Sequence, residues 1–265
     1  MKRRISLRAR LTAIPPRRLI VFLDYDGTLT PIVHHPGKAR LKASARRTLS
    51  QLALSIPVVI VSGRGLHDLQ KRVGVPGIRY VAHHGLLYKE PGSSTSWLGE
   101  QPLRREVREW TRALERASTG IAGAHVEDKG WTVALHDRLV RPADRPRLRR
   151  LARRALAPWF SRKKVKLISG KRVLEARPAG TWNKGTAVAR LLNQPWARHR
   201  IPVYFGDDRT DFDAFRVVRN RGLAVRVGGR RGMAGKDAWI SGPNRLASLL
   251  RWLTAMVNGL ERDVL

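Results

Sequence analysis

Short apolar runs separated by stretches with helical periodicity are the clearest feature of the chain. The run from Leu19 to Leu23 shows no alternation of polar and apolar residues, which is typical of a strand covered on both faces in a parallel sheet. Further strands are predicted at 56–61, 78–82 and 201–205. Helices are predicted between them at 39–54, 66–73 and 181–192. The pattern therefore predicts an α/β fold in which helices cover both faces of a parallel sheet.

The pattern changes between about residues 90 and 178. Helices are predicted there at 103–117 and 145–160, and strands at 124–129, 131–136, 165–169 and 172–176. Strands that follow one another so closely favour hairpins, which indicates an α+β module with an antiparallel sheet. Because the parallel pattern resumes afterwards, we expect 99–178 to be inserted into a core made of 19–98 and 179–265. We expect the basic segment 1–18 to be a tail or a short helix.

Two of the predicted strands run directly into aspartates. Asp24 and Asp26 follow the first strand, and the last strand is followed by the acidic group Asp207, Asp208 and Asp211. Ligands of open α/β sheets bind outside the carboxyl ends of the strands, so these carboxylates are expected at such a site. Mg²⁺ prefers oxygen ligands and would relieve the repulsion between them. The alternatives are a capped turn for the first pair and an acidic helix N-terminus for the second group.

Two further segments suit an anion. Ser62 ends the strand 56–61 and precedes a helix, where a hydroxyl and free amide groups can hold a phosphate oxygen. Lys184 falls in the first turn of the helix 181–192, where the helix dipole disfavours a cation unless an anion lies opposite. His34 and His35 lie in a loop rich in proline and glycine, and we expect them to be solvated.

The composition narrows the possible classes of protein. With 265 residues, 42% of them hydrophobic, the chain can build one large or two medium domains with real cores. It has no cysteine, which excludes disulfides, zinc thiolates and a cysteine-phosphatase mechanism. No apolar stretch is long enough to cross a bilayer, so we expect a cytoplasmic protein without a membrane partner. The oligomeric state is left open, with a monomer allowed.

The formal net charge of +33 favours contact with polyanions. The arginines are spread over nearly every predicted helix, and no helix-turn-helix, zinc-finger or aromatic-basic recognition motif is present. We therefore expect no specific nucleic-acid partner, with non-specific polyanion binding as a side effect of the surface charge.

Four motifs in order resemble those of the haloacid dehalogenase superfamily of phosphatases. They are Asp-Tyr-Asp-Gly-Thr-Leu-Thr-Pro, Val-Ser-Gly-Arg, Asn-Lys-Gly and Gly-Asp-Asp-Arg-Thr-Asp. The finer resemblance, over roughly residues 19 to 250, is to the trehalose-6-phosphate phosphatase family, which is similar also in the Glu-Ala-Arg-Pro that begins at Glu175. The resemblance implies a Rossmann-like catalytic core, an inserted cap that closes over it, Mg²⁺ as the cofactor and a sugar phosphate as the substrate.

The resemblance also implies roles for the motif residues. Asp24 resembles the nucleophile, and Asp26 resembles the general acid and base, whose backbone carbonyl is also a metal ligand. Asp207 resembles the other carboxylate ligand of the metal, with Asp208 and Asp211 beside it as partners that contact the ligands or reach the metal through water. Ser62 and Lys184 resemble the pair that holds the phosphate. Expected contacts to the substrate in the core are Arg64, His84 and Gly85.

The expected sugar-binding residues of the cap are Glu127, Lys129, His136, Arg138 and Glu175. The alternative for each is an ordinary ion pair on a strand face. We therefore expect hydrolysis of trehalose 6-phosphate through an aspartyl-phosphate. Other sugar phosphates of the same cap class are alternative substrates: sucrose phosphate, mannosyl-phosphoglycerate and glucosylglycerol phosphate. A non-catalytic polyanion-binding module on the same fold is the alternative from another class.

Three positions depart from the family pattern. Phe212 stands where a glutamate is common, Leu87 stands where a glutamate is common two positions after the His-Gly, and His83 stands where asparagine or another polar residue is common. No departure removes a catalytic group. Residues that face the substrate decide which phosphate ester fits, so these positions bear on the identity of the sugar.

Overall fold

The computed structural model describes residues 6–33, 38–98, 104–170, 172–180, 182–229 and 237–259. Contacts between residues divide the chain into two compact units. The core unit comprises Met1–Leu98 and Trp182–Leu265, and the inserted unit comprises Gly99–Thr181. The interpretation of His34 and His35 as solvated loop residues falls outside the described residues.

A mostly parallel sheet forms the centre of the core unit. Its strands are β1 (Leu19–Leu23), β2 (Val58–Val61), β3 (Arg79–Ala82), β4 (Leu87–Lys89), β5 (Thr95–Trp97), β10 (Ile201–Gly206), β11 (Leu223–Val227) and β12 (Ala238–Ile240). Across the sheet their order is β12-β11-β10-β1-β2-β3-β4-β5. Neighbours from β12 to β3 are parallel, whereas β4 and β5 add antiparallel pairs. β1 therefore lies between the strands that carry the other motifs, β2 and β10.

Helices cover both faces of this sheet. They are α1 (Leu7–Thr12), α2 (Ala43–Ser55), α3 (Leu66–Val73), α7 (Lys184–Leu192), α8 (Phe212–Val218) and α9 (Pro243–Val257). Leu19, Val21 and Leu23 share one buried cluster with residues of α2, α3 and α9. Ile20 and Phe22 share another with residues of α7 and α8. β1 is apolar without alternation because both of its faces are covered, which confirms the predicted fold class.

The inserted unit is an antiparallel sheet with helices packed on one side. Its elements are α4 (Arg104–Ser118), β6 (His125–Asp128), β7 (Val133–His136), α5 (Arg145–Ala155), α6 (Ala157–Ser161), β8 (Val165–Gly170) and β9 (Val173–Pro178). The strand order is β6-β7-β9-β8, and each neighbouring pair is antiparallel. Trp110 of α4 and Leu148 of α5 are fully buried against Leu135 of β7. The predicted antiparallel module is confirmed.

Two predicted helices were wrong in extent. The helix expected at 145–160 is two helices, α5 and α6, because Pro158 near the start of α6 has no amide hydrogen to continue the ladder of α5. The helix expected at 39–54 begins at Ala43. The carbonyl oxygen of Ala39 instead accepts hydrogen bonds from the side chains of Tyr25 and Arg72.

The N-terminal segment contains a short helix rather than only a tail. Ser6 caps α1 by accepting a hydrogen bond from the amide of Ala9 at 3.2 Å. Leu11 is fully buried in the core unit. Within the described residues, no helix combines the length and the apolar character needed to cross a membrane.

Candidate active site

The carboxyl ends of β1, β2 and β10 meet at one edge of the core sheet. In the register of the sheet Leu23 lies beside Ile60 and Phe205, so the residues that follow these strands are neighbours. Asp24 comes directly after β1, and its amide donates to the carbonyl oxygen of Phe205 at 2.9 Å. Parallel strands therefore bring together residues that are far apart in the chain.

Lys184 enters this edge from the first turn of α7. Asn183 caps that helix through a reciprocal pair of hydrogen bonds with Thr186. The Lys184 ammonium donates to Asp24 Oδ1 at 2.6 Å and to Asp211 Oδ1 at 2.7 Å, and the lysine is only 3% exposed. Two carboxylates supply the anionic partners that a lysine in this position needs.

Asp211 is held from three directions. Besides the contact with Lys184, its Oδ1 accepts a hydrogen bond from the Tyr204 hydroxyl at 2.8 Å. Its Oδ2 accepts from the amide of Asp208 at 2.9 Å. Asp211 is completely buried. These contacts give the carboxylate a defined position at the floor of the site.

Gly27 makes room for the Asp207 carboxylate. Its φ of +87° is in the left-handed region, and a Cβ atom there would lie 2.3 Å from Asp207 Oδ2. Thr28 donates from its hydroxyl to Asp207 Oδ1 at 3.4 Å. The turn after β1 therefore requires glycine both for its backbone conformation and for the close approach of β10.

The buried charges perturb one another. Burial raises the pKa of the Asp24 carboxyl well above its ordinary value; Lys184 opposes this shift, whereas Asp211 and Asp207 add to it. Burial alone would lower the pKa of Lys184, but Asp211 and Asp24 hold it above its ordinary value. Burial and the neighbouring Asp211 also raise the pKa of Tyr204 well above its ordinary value. Lys184 is therefore a permanent cation in the site.

The donor set fits a divalent cation. Asp24, Asp207 and Asp211 are all buried, and one carboxylate oxygen of each lies within 4.8 Å of the others. Three ionised carboxylates around a single ammonium would leave two negative charges, which a divalent cation would neutralise. Carboxylate oxygens are also the ligands that Mg²⁺ prefers.

Asp26 and Arg64 form a bidentate ion pair beside this cluster. Arg64 Nε donates to Asp26 Oδ2 at 2.7 Å, and Arg64 Nη2 donates to Asp26 Oδ1 at 2.6 Å. The guanidinium also contacts Asp68. Arg64 was expected to contact the substrate; the structure places its guanidinium against two carboxylates.

The remaining predicted residues of the core lie in tight loops near the end of β2. Ser62 is buried, and its hydroxyl accepts a hydrogen bond from the amide of Arg64 at 3.2 Å. The His84 ring packs on Gly63, where a Cβ atom would lie 2.1 Å from its Nε2. Gly85, with a φ of +113°, lies so close to Asn183 that a Cβ atom would be 2.4 Å from the carbonyl oxygen. The loops therefore meet at the start of α7.

Two of the predicted sugar-binding residues belong to one polar cluster in the inserted unit. Glu175 on β9 accepts hydrogen bonds from Lys129 at 3.4 Å, from the Thr132 hydroxyl at 3.0 Å and from Arg177 Nη2 at 2.9 Å. The Glu175 side chain is 5% exposed. The two cations compensate the charge of a buried carboxylate on the face of the sheet.

A second polar pair lies on the adjacent strands. His136 Nε2 of β7 lies 2.8 Å from Glu127 Oε2 of β6. Arg138 follows β7, and its carbonyl oxygen accepts a hydrogen bond from Arg145 Nη2 at 3.5 Å. The structure thus pairs Glu127 with His136, whereas its described contacts place the backbone of Arg138 against α5.

The positions that depart from the family pattern are packed. Leu87 is buried within β4, and His83 is buried at the start of the turn that follows β3. The Phe212 ring contacts Phe215 with centroids 5.9 Å apart and lies beneath the Arg226 guanidinium at 5.0 Å. Leu87 and His83 are therefore both covered by protein in the core unit.

Sequence reasoning missed several members of these clusters: Thr28, Asp68, Thr132, Arg177 and Tyr204. Thr28 and Arg177 stand inside the motifs and could have been found there. Tyr204 lies in an apolar strand and Asp68 in a polar helix, and neither position carries a signal of its contacts. Their partners are set by the tertiary structure.

Comparisons with known proteins agree with this geometry. The family model described as Trehalose-phosphatase matches residues 22–234. Trehalose-phosphate phosphatase B of Arabidopsis thaliana is 35% identical over 229 residues, which cover 82% of this chain and 60% of that protein. The trehalose-phosphate phosphatase of Mycobacterium marinum is 37% identical over 214 residues, which cover 79% of this chain and 54% of that protein. The chain thus spans little more than half the length of these relatives.

The fold is also similar to solved structures. The C-terminal domain of C. albicans trehalose-6-phosphate phosphatase matches with a TM-score of 0.80 and 24% sequence identity, over 94% of this chain and 97% of that one. A trehalose-6-phosphate phosphatase of Aspergillus fumigatus matches with a TM-score of 0.63 and 27% identity, over 94% of this chain and 97% of that one.

Proposed function

Because the chain belongs to the trehalose-phosphatase family, we propose that it hydrolyses trehalose 6-phosphate to trehalose and phosphate with Mg²⁺ as its cofactor. The observation that carries the proposal is the buried cluster in which Lys184 joins Asp24 to Asp211 beside Asp207. Buried like charges repel one another and destabilise the fold, so a cluster of this kind indicates a functional site.

In the proposed reaction Asp24 attacks the phosphorus atom and forms an aspartyl-phosphate. Asp26 protonates the departing sugar oxygen and later accepts a proton from the water that hydrolyses the intermediate. Lys184 fixes the attacking carboxylate through its 2.6 Å contact and, with Ser62, contacts the oxygens of the transferred group. Asp24, Asp207 and the backbone carbonyl of Asp26 would hold Mg²⁺, which supplies electrostatic stabilisation of the transferring phosphoryl group.

The raised pKa of Asp24 makes its proposed role depend on a nearby cation. Burial raises the pKa of Asp24, and the neighbouring Lys184 opposes this shift without cancelling it. A nucleophile must be ionised, and a divalent cation beside the carboxylate favours the ionised form. The same cation would therefore complete the site and activate Asp24.

We assign recognition of the sugar to the polar cluster of the inserted unit. Lys129, Glu175 and Arg177 combine donors and an acceptor on one sheet face, and hydroxyl groups of a disaccharide can use both. Glu127 and His136 extend this face.

The function is tested by phosphate release from a panel of phosphorylated sugars: trehalose 6-phosphate, sucrose phosphate, mannosyl-phosphoglycerate and glucosylglycerol phosphate. We expect kcat/KM to be highest for trehalose 6-phosphate and activity to stop when a chelator removes the metal. If kcat/KM is tenfold or more higher for another ester, that ester replaces trehalose 6-phosphate as the proposed substrate. A tenfold difference corresponds to about 1.4 kcal/mol of transition-state binding. Hydrolysis that survives an excess of chelator would contradict the metal assignment.

Recognition by the inserted unit is tested with Lys129→Met. Loss of a hydrogen bond to a charged group costs about 1.5–3 kcal/mol, so KM for trehalose 6-phosphate should rise at least about tenfold. Hydrolysis of 4-nitrophenyl phosphate, which has no sugar, should not change. Lys164→Met is the matched control, since Lys164 of the same unit pairs with Glu106 at 3.6 Å and is not part of the cluster. Equal losses on both substrates would argue against sugar recognition by Lys129.

A further inference from the structure

Asp26 is held in place by a network that reaches beyond the motifs. Its side chain is 43% exposed, so burial alone does not define its position. The position of Asp26 is defined by its bidentate contact with Arg64, because two parallel hydrogen bonds fix both the distance and the plane of the carboxylate. The orientation of Asp26 therefore depends on what holds Arg64.

Asp68 of α3 holds Arg64. Arg64 Nη1 donates to Asp68 Oδ2 at 2.8 Å. On its other side Asp68 accepts from Arg72 Nε, with 2.8 Å to each carboxylate oxygen. Asp68 thus lies between two guanidinium groups, each four residues away along the chain: Arg64, which precedes α3, and Arg72, which lies within it.

The network closes around Tyr25, the residue between the two motif aspartates. Arg72 Nη1 donates to the carbonyl oxygen of Ala39 at 2.7 Å, and the Tyr25 hydroxyl donates to the same oxygen at 3.2 Å. The Arg64 guanidinium lies 5.3 Å from the centre of the Tyr25 ring. The chain of contacts therefore starts and ends at the strand-end loop that carries Asp26.

We propose that Asp68 is a positioning residue: it fixes Arg64 and, through Arg64, the Asp26 carboxylate that exchanges protons with the sugar oxygen. The inference rests on the proposed function, since Asp26 is the acid only if a phosphate ester is hydrolysed. A carboxylate that is displaced by about 1 Å can lose on the order of a hundredfold in rate, so a residue without contact to the substrate can control the reaction.

Asp68 also has a simpler role that must be separated from this one. It lies in the first turn of α3, where a carboxylate stabilises a helix through the helix dipole. Burial would raise the pKa of Asp68, but Arg72 and Arg64 outweigh it and hold the pKa below its usual range. Both roles therefore predict lower stability without Asp68, and only catalysis can tell them apart.

The experiment compares two leaving groups. A sugar alkoxide leaves only if it is protonated, whereas 4-nitrophenolate leaves readily without a proton. For Asp68→Asn we expect kcat/KM to fall at least about tenfold with trehalose 6-phosphate and to stay within about twofold with 4-nitrophenyl phosphate. The parameter kcat/KM covers the steps up to departure of the alcohol, so later hydrolysis of the aspartyl-phosphate does not affect it.

Two variants complete the test. Asp26→Asn should show the same selective loss with a larger amplitude, because it removes the acid itself. Glu90→Gln is the control. Glu90 pairs with the partly buried Arg79 at 2.9 Å in the same unit, and its substitution should leave kcat/KM unchanged for both esters. If Asp68→Asn does not fold, Arg72→Gln, which leaves the contact between Asp68 and Arg64 in place, should give a smaller loss with the same selectivity.

Equal losses on the two esters, or no loss on either, would overturn the role of Asp68. A wild-type protein that ignores trehalose 6-phosphate but hydrolyses another alkyl phosphate would refute the proposed substrate alone, and the comparison would then use that ester. A wild-type protein inactive on all phosphate esters would overturn both proposals.

Discussion

Asp24→Asn should remove activity without making the metal-free protein less stable. The substitution keeps the size of the side chain and removes both the proposed nucleophile and one negative charge. Most substitutions of buried residues destabilise a protein, so the expected outcome is unusual. It follows from the charges around Asp24.

The contacts give the size of the effect. At an effective dielectric constant of about 20, two unit charges 4.8 Å apart interact by about 3 kcal/mol, the least repulsion that Asp24 meets from each of Asp207 and Asp211. The attraction to the Lys184 ammonium at 2.6 Å is about 6 kcal/mol on the same scale. Attraction and repulsion nearly cancel, and the cost of burying the charge remains. Ionised Asp24 is therefore unfavourable without a metal, in agreement with the direction of its pKa shift.

The assay is urea unfolding of both proteins in the presence of a chelator. We expect the variant to be as stable as the wild type or up to about 2 kcal/mol more stable at neutral pH, since deletion of an uncompensated buried charge removes its desolvation cost. Because the fold raises the pKa of Asp24, the wild type loses stability as pH rises from the ordinary pKa of 3.8 to the raised value. The variant should lack this slope. Mg²⁺ should stabilise the wild type more than the variant.

Asp237→Asn is the contrasting control. Asp237 is also buried, but it faces Arg219 through contacts of 2.6 and 2.7 Å, so its charge is compensated. Its substitution should destabilise the protein by about 2 kcal/mol, because hydrogen bonds to the partly exposed Arg219 guanidinium lose their charged acceptor. A loss of stability for Asp24→Asn in chelator as large as that for Asp237→Asn would contradict the charge balance around Asp24, and hydrolysis of the substrate by Asp24→Asn would contradict its role as the nucleophile.

Other substitutions test separate contacts. Gly27→Ala should lower kcat/KM at least about a hundredfold, because the added Cβ atom would lie 2.3 Å from Asp207 Oδ2 and would displace that carboxylate. Steady-state kinetics measures the effect, and normal turnover would contradict it. Tyr204→Phe should cost about 1–2 kcal/mol in urea unfolding, since one hydrogen bond to Asp211 is lost and two partners remain; an unchanged midpoint would argue against that bond. Arg149→Met should destabilise the inserted unit by about 3 kcal/mol, seen as faster hydrogen exchange in β7, because it removes the cation that faces the buried Asp137.

The parallel core was predictable because its signal is local. β1 is apolar on both faces and ends at Asp24, and β10 repeats this switch at Asp207. Parallel strands place their carboxyl ends at one edge, so a repeated switch from apolar to acidic residues predicts convergence without any knowledge of contacts. The first-turn position of Lys184 indicated an anion by the same kind of reasoning, and Asp24 and Asp211 lie opposite it.

Other features could not be predicted, because they depend on tertiary contacts. β4 and β5 have only three residues each and become strands by pairing with the edge of a sheet that already exists. α2 begins at Ala43 rather than at the predicted residue 39, because the carbonyl oxygen of Ala39 accepts hydrogen bonds from the side chains of Tyr25 and Arg72. Asp68 and Arg64 are four residues apart at the start of α3, a spacing that alone indicates no functional contact, and only the bidentate contact of Arg64 with Asp26 makes the pair relevant to the site.

The positions that depart from the family pattern are occupied by side chains that pack inside the core unit. A substitution alters substrate choice only if the side chain can reach the substrate. Leu87 is covered within β4, and Phe212 uses its ring against Phe215 and beneath Arg226. An apolar residue at these positions is therefore consistent with packing inside the core unit. We propose instead that the sugar is selected where polar side chains gather on the sheet of the inserted unit, as Lys129 and Glu175 do.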